Sequence, residues 1–221
     1  CAWDESRPDQ GRRSERRRQA RCRLTSNGPG NSTVLINTGN DANEVPQFTA
    51  TNHPGGGRSV TAGDLNGDGR PDFIVGNAGG GLLVYLNNGN GTFTAGQVTG
   101  IQPSAGFPSV GPGVIADLNG DGKADYVVTS NQAGATDVFF GNGNGTLQTP
   151  PAIIPVSALG LAIADLNHDG KLDLVQAGGG PLMVSLNSGD GRFSAPPTLY
   201  SLGGGSVAIA DINGGGNLDV V

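Results

Sequence analysis

Four stretches of the sequence space oxygen-bearing side chains in the pattern Asp-x-Asn-x-Asp-Gly-x-x-Asp. We call them loops A to D: residues 64–72, 117–125, 165–173 and 211–219. Side chains at the first, third and fifth positions can converge on one point, and glycine at the sixth permits a sharp turn. The seventh residue can add its backbone carbonyl, and the ninth adds a carboxylate. Because all these donors are hard oxygens, the pattern predicts Ca²⁺ rather than zinc or copper.

Other loops share part of this pattern. An EF-hand requires glutamate at the twelfth position, where this chain has Val75, Val128 and Gln176. Mg²⁺ is less favoured because it resists an all-protein cage. An Asx-rich turn without metal is the alternative for any single copy. However, eleven of the fifteen acidic residues after residue 23 lie in the four loops, which favours metal binding.

Loop D departs from the pattern. Gly215 replaces the carboxylate at the fifth position, whereas Asp211, Asn213 and Asp219 remain. We therefore predict that loop D binds calcium more weakly than the other loops, or not at all.

The loops belong to a longer repeat, because their leading aspartates recur at intervals of 53, 48 and 46 residues. Short β-branched segments bounded by Gly and Asn predict four strands per unit. In the first complete unit these are Ser59–Gly63, Phe73–Val75, Leu82–Leu86 and a strand beginning near Phe93. The intervening "NGNG" fits a tight hairpin turn.

Four-stranded units of about 45–50 residues predict an all-β protein, a β-propeller built from four-stranded blades. With about four repeats, the chain is expected to form a partial propeller, an open arc of a larger one. Tandem hairpins and a β-solenoid are the structural alternatives.

At these residues the chain resembles the FG-GAP/VCBS repeat family, the calcium-loop repeats of integrin α-chain propellers and many secreted bacterial proteins. The aspartate loop followed by "NNGNGTF" carries the resemblance, which extends over residues 24–221. A literal Phe-Gly…Gly-Ala-Pro string is absent, which favours the VCBS-like bacterial branch over an integrin.

The resemblance implies three intact calcium sites and one degenerate site, with the basic seventh residues contributing backbone carbonyls. The implied ligands are Asp64, Asn66, Asp68, Arg70 and Asp72; Asp117, Asn119, Asp121, Lys123 and Asp125; Asp165, Asn167, Asp169, Lys171 and Asp173; and Asp211, Asn213 and Asp219 in the degenerate loop.

The predicted domain boundaries follow the repeats. Residues 1–23 are a leader, and residues 24–221 contain the repeats. Within these, a partial blade (24–57) precedes three blades (58–110, 111–158 and 159–204) and a truncated blade (205–221).

The leader is basic, whereas the rest of the chain is acidic. Residues 1–23 contain eight arginines and four acidic residues, and the later residues contain five basic and fifteen acidic ones. The acidic repeats disfavour nucleic-acid binding, and no apolar run is long enough to predict membrane insertion. Both cysteines, Cys1 and Cys22, lie in the leader, so the repeats cannot form a disulfide scaffold.

We expect the leader to be disordered, or to be an out-of-frame translation of another repeat, with a genuine basic arm as the alternative. "INTG" (36–39) matches "LNNG" (86–89) at an offset of 50 residues, which places a further loop at positions 14–22. Those positions read "SERRRQARC", and permitted codons for this region encode Asp-Leu-Asn-Gly-Asp-Gly-Lys-Pro-Asp in a shifted frame. The chain is interpreted as a fragment, so the lack of a visible signal peptide is uninformative.

The expected function is a calcium-braced scaffold for adhesion or binding outside the cell. In an up-and-down blade, the aspartate loops and the turns between strands three and four share one face. We expect a protein or carbohydrate ligand on the opposite face, with Gly96–Gly113 as the best candidate segment. Extracellular calcium modules bind with dissociation constants of roughly 10⁻⁴–10⁻³ M, which favours a secreted, periplasmic or cell-surface protein.

The alternative is a non-catalytic or partial domain of a secreted polysaccharide lyase or hydrolase. No catalytic set is recognisable in the sequence. His53 and His168 are interpreted as surface residues, and Tyr85, Tyr126 and Tyr200 as packing residues. This chain is therefore predicted to be non-enzymatic, while the full-length protein is left open.

Overall fold

The computed structural model describes residues 23–26, 31–55, 57–77, 81–96, 110–130, 134–194 and 196–221. These residues form seventeen β-strands in five antiparallel sheets and contain no helix. The predicted fold class, an all-β partial propeller of four-stranded blades, is confirmed. The predictions for residues 1–22, and for 97–109 within the long connection, lie outside the described residues.

We name the sheets after the loops that they carry. The leading sheet contains β1 (Arg23–Ser26), β2 (Asn31–Asn40) and β3 (Pro46–Pro54). Sheet A contains β4 (Gly57–Gly63), β5 (Asp72–Asn77), β6 (Leu82–Asn87) and β7 (Phe93–Ala95). Sheet B contains β8 (Val110–Ala116), β9 (Asp125–Ser130), β10 (Ala135–Phe139) and β11 (Ala152–Ile154). Sheet C contains β12 (Gly160–Ala164), β13 (Asp173–Ala177), β14 (Pro181–Ser185) and β15 (Thr198–Gly203), and sheet D contains β16 (Ile209–Ala210) and β17 (Asp219–Val220).

The strands of sheet A match those predicted. Each of sheets A to C is a simple meander, in which every strand pairs with the next one along the chain. The first strands lie side by side from sheet to sheet, β4 beside β8, β8 beside β12 and β12 beside β16. Between β4 and β8, the Thr61 hydroxyl donates a hydrogen bond to the Gly113 carbonyl at 3.1 Å.

The hydrophobic core lies between the sheets. Along β5, Phe73 and Val75 pack against Val34 of the leading sheet. Ile74 points the other way and packs with Tyr126 of sheet B. Because side chains alternate along a strand, one apolar strand fills two interfaces at once. This explains why the second strands contain continuous apolar runs rather than an alternating pattern.

Two of the side-chain interpretations made from the sequence are wrong. Tyr200 on β15 is 48% exposed, although Tyr85 and Tyr126 are buried as expected. His53 is half-buried at the interface between the leading sheet and sheet A, whereas His168 is exposed as expected. The centre of the His53 ring lies 5.5, 5.0 and 5.4 Å from the ring centres of Phe73, Tyr85 and Phe93, all of which belong to sheet A.

The position of His53 predicts acid sensitivity. Burial lowers the pKa of His53 below its ordinary value, so the unfolded chain binds this proton more readily than the folded one. The contribution of this residue to the free energy of unfolding is therefore intact above its unfolded pKa and declines as the pH falls. We expect the melting temperature to drop between about pH 7.5 and pH 5.5, and His53→Phe to remove part of that drop. Identical pH profiles for the wild type and the variant would contradict this prediction.

Candidate metal centre

The aspartate at the first position of each loop closes the turn with backbone hydrogen bonds. Asp64 Oδ1 accepts from the N–H groups of Gly67 (2.8 Å) and Asp68 (3.2 Å), and Oδ2 accepts from Gly69 (2.7 Å). Asp117 repeats this pattern. Asp165 and Asp211 accept from the fifth and sixth residues of their loops. Gly67 and Gly69 have φ of 75° and 80°, a conformation that favours glycine.

The third and fifth side chains form further turns on the exposed side of the loop. Asn66 Oδ1 accepts from the Asp68 N–H (3.1 Å), and Asp68 Oδ1 accepts from the Arg70 N–H (2.9 Å). Loops B and C contain the same two bonds. The backbone bonds from Lys123 and Lys171 lower the pKa values of Asp121 and Asp169, so these carboxylates stay ionised, as a metal ligand requires.

The ninth aspartate has a different environment. Asp125 is fully buried; its Oδ2 accepts from the Leu118 N–H at 2.9 Å and its Oδ1 from the Gly141 N–H at 2.8 Å. Asp72 and Asp173 make the equivalent pairs of bonds. In loops A to C, the ninth carboxylate thus ties the start of the loop to the end of the third strand. Burial raises the pKa values of Asp72 and Asp125 despite these bonds.

The loops fit calcium by their chemistry. Each of loops A to C carries three carboxylates, one amide oxygen and a seventh-position carbonyl, all of them hard donors. Among the described residues, no group of three or more His, Cys, Asp or Glu side chains is already gathered around a metal position. In each loop the side-chain oxygens accept hydrogen bonds from the loop's own backbone. The calcium ligand set therefore stays a prediction from the sequence.

The turn between the third and fourth strands does more than reverse the chain. These turns, A to C, span residues 88–92, 142–146 and 188–192, and each is closed by a bond from its first N–H to its last carbonyl. In turn A, positive φ occurs at Gly89 and Gly91 and not at the asparagines. The turn is therefore a five-residue loop whose two glycines adopt the left-handed conformation.

The second glycine of each turn lies against the preceding sheet. A Cβ atom on Gly145 would come within 2.5 Å of Leu86, and one on Gly191 within 2.3 Å of Phe140. Hydrogen bonds also join sheets B and C to the aspartate loops of the sheets before them. The Gly145 N–H of turn B donates to the Leu65 carbonyl of loop A (3.2 Å), and Asn187 Nδ2, just after β14, donates to the Leu118 carbonyl of loop B (2.8 Å). The pair of glycines repeated in each turn was the sequence signal for this contact with the preceding sheet. A hairpin turn by itself does not explain why both glycines recur.

Loops A and B enclose a cavity of about 320 Å³, lined by residues that include Asp64, Asp117 and Lys123 together with Gly143 of turn B. This cavity opens among the aspartate loops. The expectation of a ligand on the opposite face remains a prediction.

The stacked meanders and the repeated aspartate loops define a repeat protein of the β-propeller type. A family model for the FG-GAP-like repeat matches residues 24–75, 64–128, 117–176 and 165–221. The chain belongs to the FG-GAP-like repeat family.

Integrin α chains are among its relatives. The chain is 33% identical to human (Homo sapiens) integrin alpha-7 over 137 residues, which cover 54% of this chain and 11% of the integrin. The rat (Rattus norvegicus) integrin alpha-7 is 31% identical over 137 residues, with 54% and 12% coverage. The chain thus spans about a tenth of the length of these integrins. These relatives give no support to the preference for a bacterial branch.

Two solved structures share the fold. One is an Agrocybe aegerita lectin with specific recognition of non-reducing terminal N-acetylglucosamine; it has a TM-score of 0.52 and 26% identity, covering 77% of this chain and 48% of the lectin. The other is the Photorhabdus luminescens Tc holotoxin pore, with a TM-score of 0.51 and 20% identity, covering 94% of this chain and 11% of that one. The second likeness shows the fold alone.

The described part of the chain contains no helix that could span a membrane.

Proposed function

We propose that this chain is a calcium-braced β-propeller scaffold that binds a protein or carbohydrate outside the cell. The observation that carries the proposal is the repetition of loops A, B and C, which share one donor set and nearly the same hydrogen bonds at the same place in consecutive sheets. A single Asx-rich turn requires no metal, but it does not account for three matched sets of carboxylates.

Calcium would be held by the first, third, fifth and ninth side chains and the seventh carbonyl. When bound, it would neutralise the carboxylates that each loop brings together. The ninth carboxylate also accepts two backbone bonds, so besides supplying a ligand it joins the loop to the third strand. Loop D lacks the fifth carboxylate, and we propose that it binds calcium more weakly.

The proposed calcium site predicts a metal-dependent stability. If each site has a dissociation constant of roughly 10⁻⁴–10⁻³ M, about 10 mM Ca²⁺ should stabilise the fold by about 1–3 kcal/mol per occupied site. We expect a higher melting temperature in calcium than in chelator, and a smaller effect of Mg²⁺ at the same concentration. A melting temperature that is unchanged by chelator would overturn the calcium proposal.

The proposed ligand lies on the face opposite the aspartate loops, and the location is secreted, periplasmic or cell-surface. Support comes from the integrin likeness and from the likeness to a sugar-binding lectin. Neither nucleic-acid binding nor membrane insertion is part of the proposal. A glycan array probed in calcium and in chelator, with N-acetylglucosamine-terminated glycans included, tests the carbohydrate arm. Turnover of a polysaccharide by residues 24–221 would favour the enzyme alternative instead.

A further inference from the structure

A basic residue at the seventh position of loops A to C forms an ion pair with the fifth-position aspartate. The distances are 3.2 Å for Arg70 Nη1–Asp68 Oδ2, 3.3 Å for Lys123 Nζ–Asp121 Oδ2 and 3.7 Å for Lys171 Nζ–Asp169 Oδ2. The cation therefore lies beside Oδ2 of a carboxylate that is an expected calcium ligand, whereas Oδ1 accepts the N–H of the same basic residue.

The same basic side chain lies close to the first glycine of the turn in its own sheet. A Cβ atom on Gly89 would lie 2.8 Å from Arg70 Nε, one on Gly143 would lie 3.1 Å from Lys123 Cδ, and one on Gly189 would lie 2.9 Å from Lys171 Cε. The first glycine of each turn thus provides the space across which the basic side chain lies. Because the same contact recurs in three sheets, the position of the cation belongs to the repeat.

Loop D lacks both members of the ion pair. Gly215 occupies the fifth position and Asn217 the seventh. Loops A to C each contain three carboxylates and one cation, and loop D contains two carboxylates and no cation, so all four have a formal charge of −2. The basic residue is therefore present where the fifth carboxylate is present, and absent where it is absent.

We propose that the seventh-position base is a built-in counter-ion that competes with calcium for the fifth-position carboxylate. It stabilises the metal-free loop and lowers the calcium affinity, because a fixed positive charge repels a divalent cation nearby. The inference rests on the proposed calcium site and assigns an affinity-setting role to Arg70, Lys123 and Lys171. It also implies that loop D is weakened by the loss of a ligand and not by a loss of charge.

The test compares Lys123→Met with Arg192→Met in the full chain. Methionine keeps an aliphatic side chain of similar length over Gly143 and removes the charge. Arg192 is a matched control, because it pairs with Asp190 in turn C at 3.7 Å, outside the loops, with 84% of its side chain exposed. Calcium binding is measured by calorimetric titration with CaCl₂ at low and high ionic strength, and stability by thermal melting in chelator.

For Lys123→Met we expect one site to bind calcium about three- to tenfold more tightly at low ionic strength, with a smaller gain in high salt. The same variant should melt at a lower temperature than the wild type in chelator. Arg192→Met should show neither effect. Unchanged or weaker affinity in Lys123→Met, with calcium binding intact in the wild type, overturns the counter-ion role alone. A wild type that binds no calcium overturns the proposed function and this inference together.

Discussion

Asp125→Asn is expected to lower the free energy of unfolding by about 3 kcal/mol in chelator. The buried carboxylate accepts two backbone hydrogen bonds, from Leu118 and Gly141. An asparagine side chain has only one oxygen, so its NH₂ group would face a backbone N–H and leave a buried donor without an acceptor. The loss is measured by denaturant unfolding without calcium, so it does not depend on metal binding.

Asp121→Asn is the matched control in the same loop. Asp121 is exposed, and an amide oxygen can still accept the hydrogen bond from the Lys123 N–H, so the substitution removes only the exposed ion pair with Lys123 Nζ. The metal-free stability should therefore fall by less than about 1 kcal/mol, while the calcium-dependent stabilisation should shrink. Equal destabilisation by the two substitutions in chelator would show that the ninth aspartate supports the metal-free fold no more than the fifth one does.

Asp137→Leu is expected to stabilise the protein by about 1–3 kcal/mol at neutral pH. Asp137 is fully buried on β10, and neither carboxylate oxygen has a hydrogen-bond partner in the described part of the chain. The strand register shows that the residues at the equivalent position of sheets A and C are apolar. Asp137 is paired with Val128 as Leu83 is with Val75 and Met183 with Gln176.

The gain from Asp137→Leu should depend on pH. Burial raises the pKa of Asp137, so the folded wild type holds this proton more tightly than the unfolded chain. The contribution of Asp137 to the free energy of unfolding is therefore most favourable below the unfolded pKa of about 4 and is lost as the pH rises towards the folded pKa. The difference between variant and wild type should be larger at pH 8 than at pH 4.

Two further variants distinguish charge from packing. Asp137→Met uses the residue type found in sheet C and avoids the branched side chain if leucine overfills the site. Asp137→Asn removes the charge but leaves a polar group without a partner, so its gain should be smaller. A destabilised Asp137→Leu together with a destabilised Asp137→Met would show that the carboxylate has a favourable role at this position.

Local patterns in the sequence determined the strands, the repeat and the aspartate loops. Short β-branched segments between Gly and Asn predict strands because backbone propensity and turn chemistry act over a few residues. The family match over residues 24–221 agrees with that interpretation. The expected metal ligands also lie within nine consecutive residues of each loop, so their spacing alone was enough to propose them.

Only the tertiary structure decided how the loops are supported. Asp125 meets Gly141 sixteen residues away, and Lys123 lies against Gly143 of the next turn. The sequence analysis misjudged His53 and overlooked Asp137, because burial depends on which sheet packs against a strand. Hydrophobic packing between sheets is not encoded by any local pattern, since the same strand sequence can face solvent or a neighbouring blade. A few consecutive residues were thus enough to identify the loops. The roles of the ninth aspartate, the seventh base and the turn glycines could be seen only in the assembled sheets.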